Sequence, residues 1–318
     1  MSHVPFSYIG LDISKKKIDI WSASTGKKII SNDATGIEKL IRLTNRINAP
    51  FVVCEPTSHY HIPVVRKMQK LGIAVSTLNP RKVRNFARAR GFLEKTDAID
   101  AKIIAEFGRV MEVVTPDPLP KPGSDELHLL QVRVRQLTQM IAMEKTHLEG
   151  FSTTAYQEVV LKHIQELQED LRLLESEMDK LINHHKEFQE RVDILKSAPG
   201  IGPKTARLLV SLLPELGSFS NRSLSKLVGV APLNRDSGKL QGKRSIFGGR
   251  IEVRCGLYMA TIVAIKHNPR IKAFYDQLKM RGKISKVAIV ACMRKFLTIL
   301  NSMVKTKTHF LLKEQKMS

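Results

Sequence analysis

Five residues of this 318-residue chain have the type and spacing to do chemistry together: Asp12, Glu55, Asp97, Asp100 and Ser237. Asp12 lies in the alternating apolar run YIGLDISKKKIDIW, residues 8–21. A carboxylate there is costly to bury unless it is paired, protonated or bound to a metal ion. Taken alone, it also reads as a strand-end acid facing water. Glu55 closes the short apolar segment FVVCEP, and Asp97 and Asp100 lie three apart in KTDAIDAKIIAEF. That spacing puts both on one face of a first helical turn, where like charges repel unless a cation sits between them. The helix dipole, which favours acids at this end, accounts for part of the pattern. Four such acids would hold two divalent ions, and carboxylates in place of histidines suit Mg²⁺ or Mn²⁺, which take hard oxygen ligands. Two ions side by side clamp the attacking and leaving oxygens of a phosphodiester.

Ser237 stands between Asp236 and Gly238, with Arg235, Lys239, Lys243, Arg244, Arg250 and Arg254 near it in sequence. A lone Ser-Gly is ordinarily a turn. A serine among so many cations is placed where a phosphodiester would be drawn in and its pentacovalent charge stabilised. A serine nucleophile needs activation, no histidine is near it in sequence, and a metal held by the acids would supply it. Arg250 and Arg254, four apart on one helical face, would steady the phosphate.

These residues need elements to hold them. Alternation in Ile9, Leu11, Ile13 and then Ile18, Ile20 predicts two strands joined through Ser14-Lys15-Lys16-Lys17, with a third beginning near Lys28 after the Thr25-Gly26 turn. Helical spacing covers about 36–48, FVVCEP is a buried strand, 61–71 is helical and 73–78 is another strand. Three strands followed by strands alternating with helices give a mixed α/β sheet. RKVRNFARAR, residues 81–90, is too basic for a core; Arg81, Lys82, Arg84, Arg88 and Arg90 read as an arm against a nucleic-acid backbone, with a solvated helix face as the alternative. Thr96 is a candidate cap for the helix carrying Asp97 and Asp100.

The proline-rich TPDPLPKPG marks a domain end, which gives boundaries of 1–115, a linker at 116–123, a helical segment at 124–194 and a last domain at 195–318. Two apolar stripes, Leu127, Leu130, Val134, Leu137, Ile141 and Leu161, Ile164, Leu167, Leu171, Leu174, Met178, Leu181, predict an antiparallel coiled-coil hairpin that is also a candidate dimerisation element. His184 and His185 read as solvated. In SAPGIGPKTARLL, Gly200 and Gly202 make a tight turn before a helix starting at Pro203; with Lys204 this resembles a helix-hairpin-helix element, whose backbone amides grip a phosphate. A plain helix-turn-helix connection is the alternative. The segment 229–269 reads as a glycine-punctuated basic loop or hairpin followed by a helix, and 283–300 as a buried helix.

Composition limits the partners. With 52 Lys+Arg against 30 Asp+Glu the net charge is +22, a self-repulsion that points to a polyanion, nucleic acid above all. No run approaches 18 apolar residues and no signal peptide opens the chain, so neither membrane nor export is expected. Cys54, Cys255 and Cys292 fit neither a disulfide framework nor a zinc cluster and read as buried free thiols in a reducing cytosol.

GLDISK around Asp12, CEPTSHY around Glu55, KTDAIDA around Asp97 and Asp100, and GVAPLNRDSG…GGR…VR around Ser237 resemble the DEDD transposases of bacterial insertion sequences, a group that includes a pilin-gene DNA invertase. The resemblance spans nearly the whole chain in the expected order. It implies an α/β RNase H-like (RuvC-like) N-terminal domain, a coiled-coil segment and a mainly α C-terminal domain bearing the serine. It implies a recombinase that cuts and rejoins DNA through a phosphoserine at Ser237, with Mg²⁺ held by Asp12, Glu55, Asp97 and Asp100. It further implies dimers that assemble into tetramers, a structured noncoding RNA bridging target and donor DNA, and a cytoplasmic, nucleoid-associated place in a bacterium. Three alternatives stay open: an invertase without an RNA guide, a RuvC-like junction nuclease in which Ser237 is only structural, and a non-catalytic nucleic-acid-binding protein.

Overall fold

The computed structural model describes residues 6–92, 97–150, 154–233 and 245–311. It divides into two compact units, Met1–Pro120 and Lys121–Ser318.

The first unit is built on β1 (Ser7–Ile13), β2 (Lys17–Ser22) and β3 (Gly26–Ser31), then α1 (Ala34–Thr44), β4 (Pro50–Cys54), α2 (Ile62–Lys70), β5 (Ala74–Thr77), α3 (Pro80–Ala89) and α4 (Asp97–Val110). The strands form one sheet in the order β3-β2-β1-β4-β5. β1–β2 and β2–β3 are antiparallel, whereas β1–β4 and β4–β5 are parallel, so β1 is the central strand. Its alternation feeds two cores. Ile9, Leu11, Ile13, Ile18, Ile20, Val52 and Cys54 pack on one face with Leu40, Val64 and Met68 of α1 and α2. Phe51 and Val53 pack on the other with Val83 of α3 and Ile103, Ile104 and Phe107 of α4. The period-2 pattern thus buries both faces, each large apolar side chain contributing about 1.5–3 kcal/mol.

Residues 81–90, read as an arm against a nucleic-acid backbone or as a solvated helix face, are helical: Asn79 accepts a hydrogen bond from the Arg81 amide at 3.0 Å and Pro80 opens a regular helix, α3, which buries Val83. Proline at a first helical position behind an Asn cap is a helix start as readily as a strand end. In the proline-rich stretch the Asp117 carboxylate accepts from both the amide and hydroxyl of Thr77 at 2.7 and 2.6 Å, fastening the segment along β5.

The second unit holds α5 (Ser124–Gly150), α6 (Thr154–His184), α7 (Lys186–Lys196), α8 (Pro203–Leu212), α9 (Asn221–Val228), a two-stranded ribbon of β6 (Pro232–Leu233) and β7 (Ser245–Ile246), α10 (Ile251–His267), α11 (Pro269–Met280) and α12 (Ser285–Thr306). α5 and α6 form an antiparallel hairpin: Leu137 and Ile141 pack against Ile164 and Leu167 towards its tip, while Leu127, Met178 and Ile182 at its base join the C-terminal core. Val160, not Leu161, completes the seam, and Leu161 is exposed. α12 is long and apolar enough by composition to cross a membrane, but Phe296, Leu297 and Leu300 on it are the centre of the C-terminal core. Cys54 and Cys292 are buried, as expected; Cys255 is exposed. Burial, with the carboxylates of Asp117 and Glu55 adding to it, pushes the Cys54 thiol up to about 12, so it stays protonated and inert.

Candidate active site

The packing of α4 on β1 sets where the acids of these two elements lie. Gly10 lies directly under α4: a Cβ there would collide with the carbonyl oxygen of Ala101 and the amide of Ala105. Further along, Gly108 packs against the rings and methyls of Tyr8 and Val53. Strand and helix therefore run in opposite directions on this face. From Gly10 to Asp12 the strand advances about 6.6 Å. From Ala101 back to Asp97 the helix retreats about 6 Å. Asp12, on the same face as Gly10, thus ends beside the first turn of α4, which holds Asp97 and Asp100.

Glu55 reaches the same end by register. Leu11 of β1 pairs with Cys54 of the parallel β4, so the next residues, Asp12 and Glu55, stand side by side at the two strand ends. Val53 belongs to the α4 face, and the residue two further on, Glu55, continues that row. Asp12, Glu55 and Asp100 are each half-buried. The side chain of Asp97, like Thr96, lies outside the described residues. Among the described residues no three His, Cys, Asp or Glu side chains are grouped closely enough to hold a metal ion. The fold therefore places Asp12, Glu55 and the first turn of α4 at one end of one sheet face, without a closed coordination sphere among the described residues.

A fifth carboxylate belongs to this face. Asp19 of β2 is directly opposite Asp12 in the antiparallel register and is only 2% exposed. Its Oδ1 has no hydrogen-bond partner among the described residues, and its charge is met by Lys17 at 3.2 Å and Lys27 at 3.9 Å, both partly in solvent. Facing carboxylates on one sheet face repel, and these two lysines compensate. Asn32 is a second residue that the spacing arguments pass over. Its amide nitrogen donates to the carbonyl of Ser14 at 2.8 Å and, more weakly, to that of Tyr60 at 3.3 Å, tying the turn after Asp12 to the loop after Glu55. The signal for Asp19 was present in the alternation: with Ile18 and Ile20 facing one core, Asp19 and Trp21 must face the other side.

On α3, Arg81, Lys82, Arg84, Arg88 and Arg90 are exposed; Arg90 pairs with Glu106 of α4 and lies over the Phe86 ring at 6.0 Å.

In the second unit, Ser237, Arg235, Lys239, Lys243 and Arg244 lie outside the described residues, between β6 and β7. The foot of that segment is well defined. Gly229, in left-handed conformation at the end of α9, lies so close to Gly248 and Gly249 that a Cβ on Gly229 or Gly249 would collide with the opposing backbone. Arg254 donates to the carbonyl of Gly248. Arg250 is the N-cap of α10, one residue before the helix proper, and its carbonyl accepts from the Arg254 amide at 3.0 Å. Its guanidinium grips Glu215 in a two-pronged pair at 2.5 and 2.6 Å and donates to the carbonyl of Leu212 at 2.9 Å. Both arginines thus build the base of the serine segment. Gly200 packs closely against Ala260 and Ala264 of α10, Gly202 caps α8 with open space around it, and Lys204 pairs with Glu175 at 3.0 Å.

Two family models match successive parts of the chain. Residues 9–156 match a family model described as a transposase, and residues 192–276 match a second, described as the transposase IS116/IS110/IS902 family. The chain is 29% identical to the pilin gene-inverting protein of Moraxella lacunata, over 96% of this chain and 97% of that one. It is 28% identical, over the same shares, to the protein of that name from Moraxella bovis. It is 25% identical, over 45% of this chain and 35% of the other, to a 43.6 kDa protein of insertion element IS110 from Streptomyces coelicolor. With both domain models matched in order and relatives aligned nearly end to end, the chain carries transposase domains of the IS116/IS110/IS902 kind and is homologous to the pilin gene-inverting proteins.

Proposed function

We propose that the protein is a DNA recombinase that cuts and rejoins strands through a covalent phosphoserine at Ser237. The observation that carries this reading is the convergence of Asp12, Glu55 and the first turn of α4, with Asp97 and Asp100, on one end of the sheet. The strand order β3-β2-β1-β4-β5, antiparallel and then parallel, supports an RNase H-like, RuvC-like reading of the first unit. The donor set fits Mg²⁺ or Mn²⁺ in chemistry, all hard carboxylates at the positive end of a helix, and Asp12, Glu55, Asp97 and Asp100 would hold the ions. Bound there, such ions neutralise phosphate charge and ease loss of the serine proton.

In the first step the Ser237 Oγ forms a bond to phosphorus as the bond from phosphorus to one bridging sugar oxygen breaks; the serine proton is lost and the departing oxygen gains one. In the second, a sugar hydroxyl from another strand displaces Ser237, which recovers its proton. Lys243 and Arg244 follow the serine in sequence and would draw in the phosphodiester. Arg81, Lys82, Arg84, Arg88 and Arg90 on α3, and the amides at Gly200 and Gly202 with Lys204, would hold DNA by its phosphates. Arg250 and Arg254 would act on that phosphate by holding the serine segment in place. We include in the proposal a structured noncoding guide RNA, and dimers paired through the α5–α6 hairpin that assemble into tetramers; the basic surplus and exposed Met143, Tyr156 and Val159 on that hairpin support them.

The test is covalent capture. Protein, Mg²⁺ and labelled element-end DNA are incubated with and without RNA copurified from cells, then denatured. DNA attached to wild-type protein and absent from Ser237→Ala supports the reading. Cleavage by Ser237→Ala without attachment would replace it with a RuvC-like nuclease.

A further inference from the structure

The same sheet face that carries Asp12 opens, at the far end of β1, into a cavity of about 890 Å³ between β1, β2, α3 and α4. Tyr8, Trp21 and Phe92 line it with rings, and Arg90, Lys102 and Arg109 with cations. Its walls are fixed. The Tyr8 hydroxyl donates to the carbonyl of Val113 at 3.1 Å and its ring packs on Phe51. The Lys102 amine stands 5.9 Å from the centroid of the Trp21 ring. Arg90 is held by Glu106, whereas Arg109 has no ion-pair partner among the described residues. Lys102, Glu106 and Arg109 repeat at four- and three-residue steps, so α4 presents one polar stripe along the cavity, cationic on balance.

Rings beside unneutralised cations in an open cleft suit a ligand with a π face and a negative charge together. Stacking on aromatic side chains with cations along the backbone is the chemistry of single-strand binding, each stacked base contributing about 1–3 kcal/mol. The volume lies within the range of about 300–1,000 Å³ usual for small-ligand sites, and so admits a nucleotide. We propose that this cavity takes one unpaired nucleotide of a nucleic-acid strand, its base against Trp21 and Phe92 and its phosphate towards Lys102 and Arg109. α3 ends at the cavity with Ala89 and Arg90, which gives the strand a basic approach. Tyr8 and Asp12 are four residues apart on one strand, roughly 13 Å. A base lodged here would therefore set which phosphate reaches the acids; this last role rests on the function proposed above, whereas the binding does not.

Trp21 is the only tryptophan in the chain, so its emission reports on this cavity alone. The full-length protein, in EDTA, is titrated with a single-stranded DNA oligonucleotide, the RNA of the same sequence, the corresponding DNA duplex and the free mononucleotide. Overall binding is followed in parallel by anisotropy of labelled strands. The expected result is that a single strand quenches Trp21 at least several-fold more than duplex, and that Lys102→Glu and Arg109→Glu weaken single-strand binding about tenfold with unchanged duplex binding and thermal melting. The more strongly quenching of DNA and RNA identifies the source. Equal quenching by duplex, quenching by the mononucleotide as tight as by the strand, or strand binding without a change in Trp21 emission would overturn the proposal. The experiment needs neither Ser237 nor metal, so its failure is separate from a failure of covalent capture.

Discussion

Asp12 and Asp19 show how one strand pair assigns opposite tasks to the same side-chain type. Asp12 is half-buried at a strand end beside the first turn of α4; Asp19, across from it, is buried and neutralised by Lys17 and Lys27. Sequence spacing singled out Asp12, Glu55, Asp97 and Asp100 as candidates, because each acid interrupts or ends an apolar pattern. Asp19 carries its signal only in the alternation of Ile18 and Ile20, which sends it to the opposite face without saying that this face is covered. What decides the matter is Gly10, whose missing side chain lets α4 lie on the sheet and bury the second face. Gly10→Ala, which must push against backbone atoms of Ala101 and Ala105, is expected to cost about 1–3 kcal/mol, the range for overpacking a filled site. Urea unfolding followed by circular dichroism measures it. A variant as stable as the wild type would mean that α4 does not rest on β1 as described.

The elements were legible where periodicity was strong. The strands, the hairpin stripes and the helices around 36–48 and 61–71 stand within a few residues of their expected places. α3 was harder because its composition argues for solvent contact while its cap argues for a helix, and the cap with buried Val83 wins. The junction of α8 and α10 was not legible at all, since no sequence pattern pairs Arg250 with a carboxylate 35 residues earlier. There the guanidinium holds both Glu215 and the last carbonyl of α8. Arg250→Ala and Glu215→Gln are each expected to lower stability by about 1–3 kcal/mol, as for charge-assisted hydrogen bonds, and the double variant to be little worse than either alone. A double-mutant cycle in urea checks this; fully additive losses would show that the two side chains act independently. Loss of strand exchange in Arg250→Ala therefore has to be read together with its stability.

At the scale of the whole molecule, the chain divides into an α/β unit and a largely helical one, and the function proposed above would draw carboxylates from the first and Ser237 from the second. A net charge of +22 fits a protein that works on a polyanion, and DNA is the substrate that a transposase family implies. The central claim is that the acids gathered at the first turn of α4 form one divalent-metal site. Mn²⁺ binding in the presence of cognate DNA, read by electron paramagnetic resonance, tests it most directly. The expected result is Mn²⁺ bound by the wild type and by Ser237→Ala, with at least a tenfold loss of affinity in Asp12→Asn, Glu55→Gln and Asp100→Asn. Equal Mn²⁺ binding by the wild type and Asp12→Asn, or none by the wild type, would contradict it.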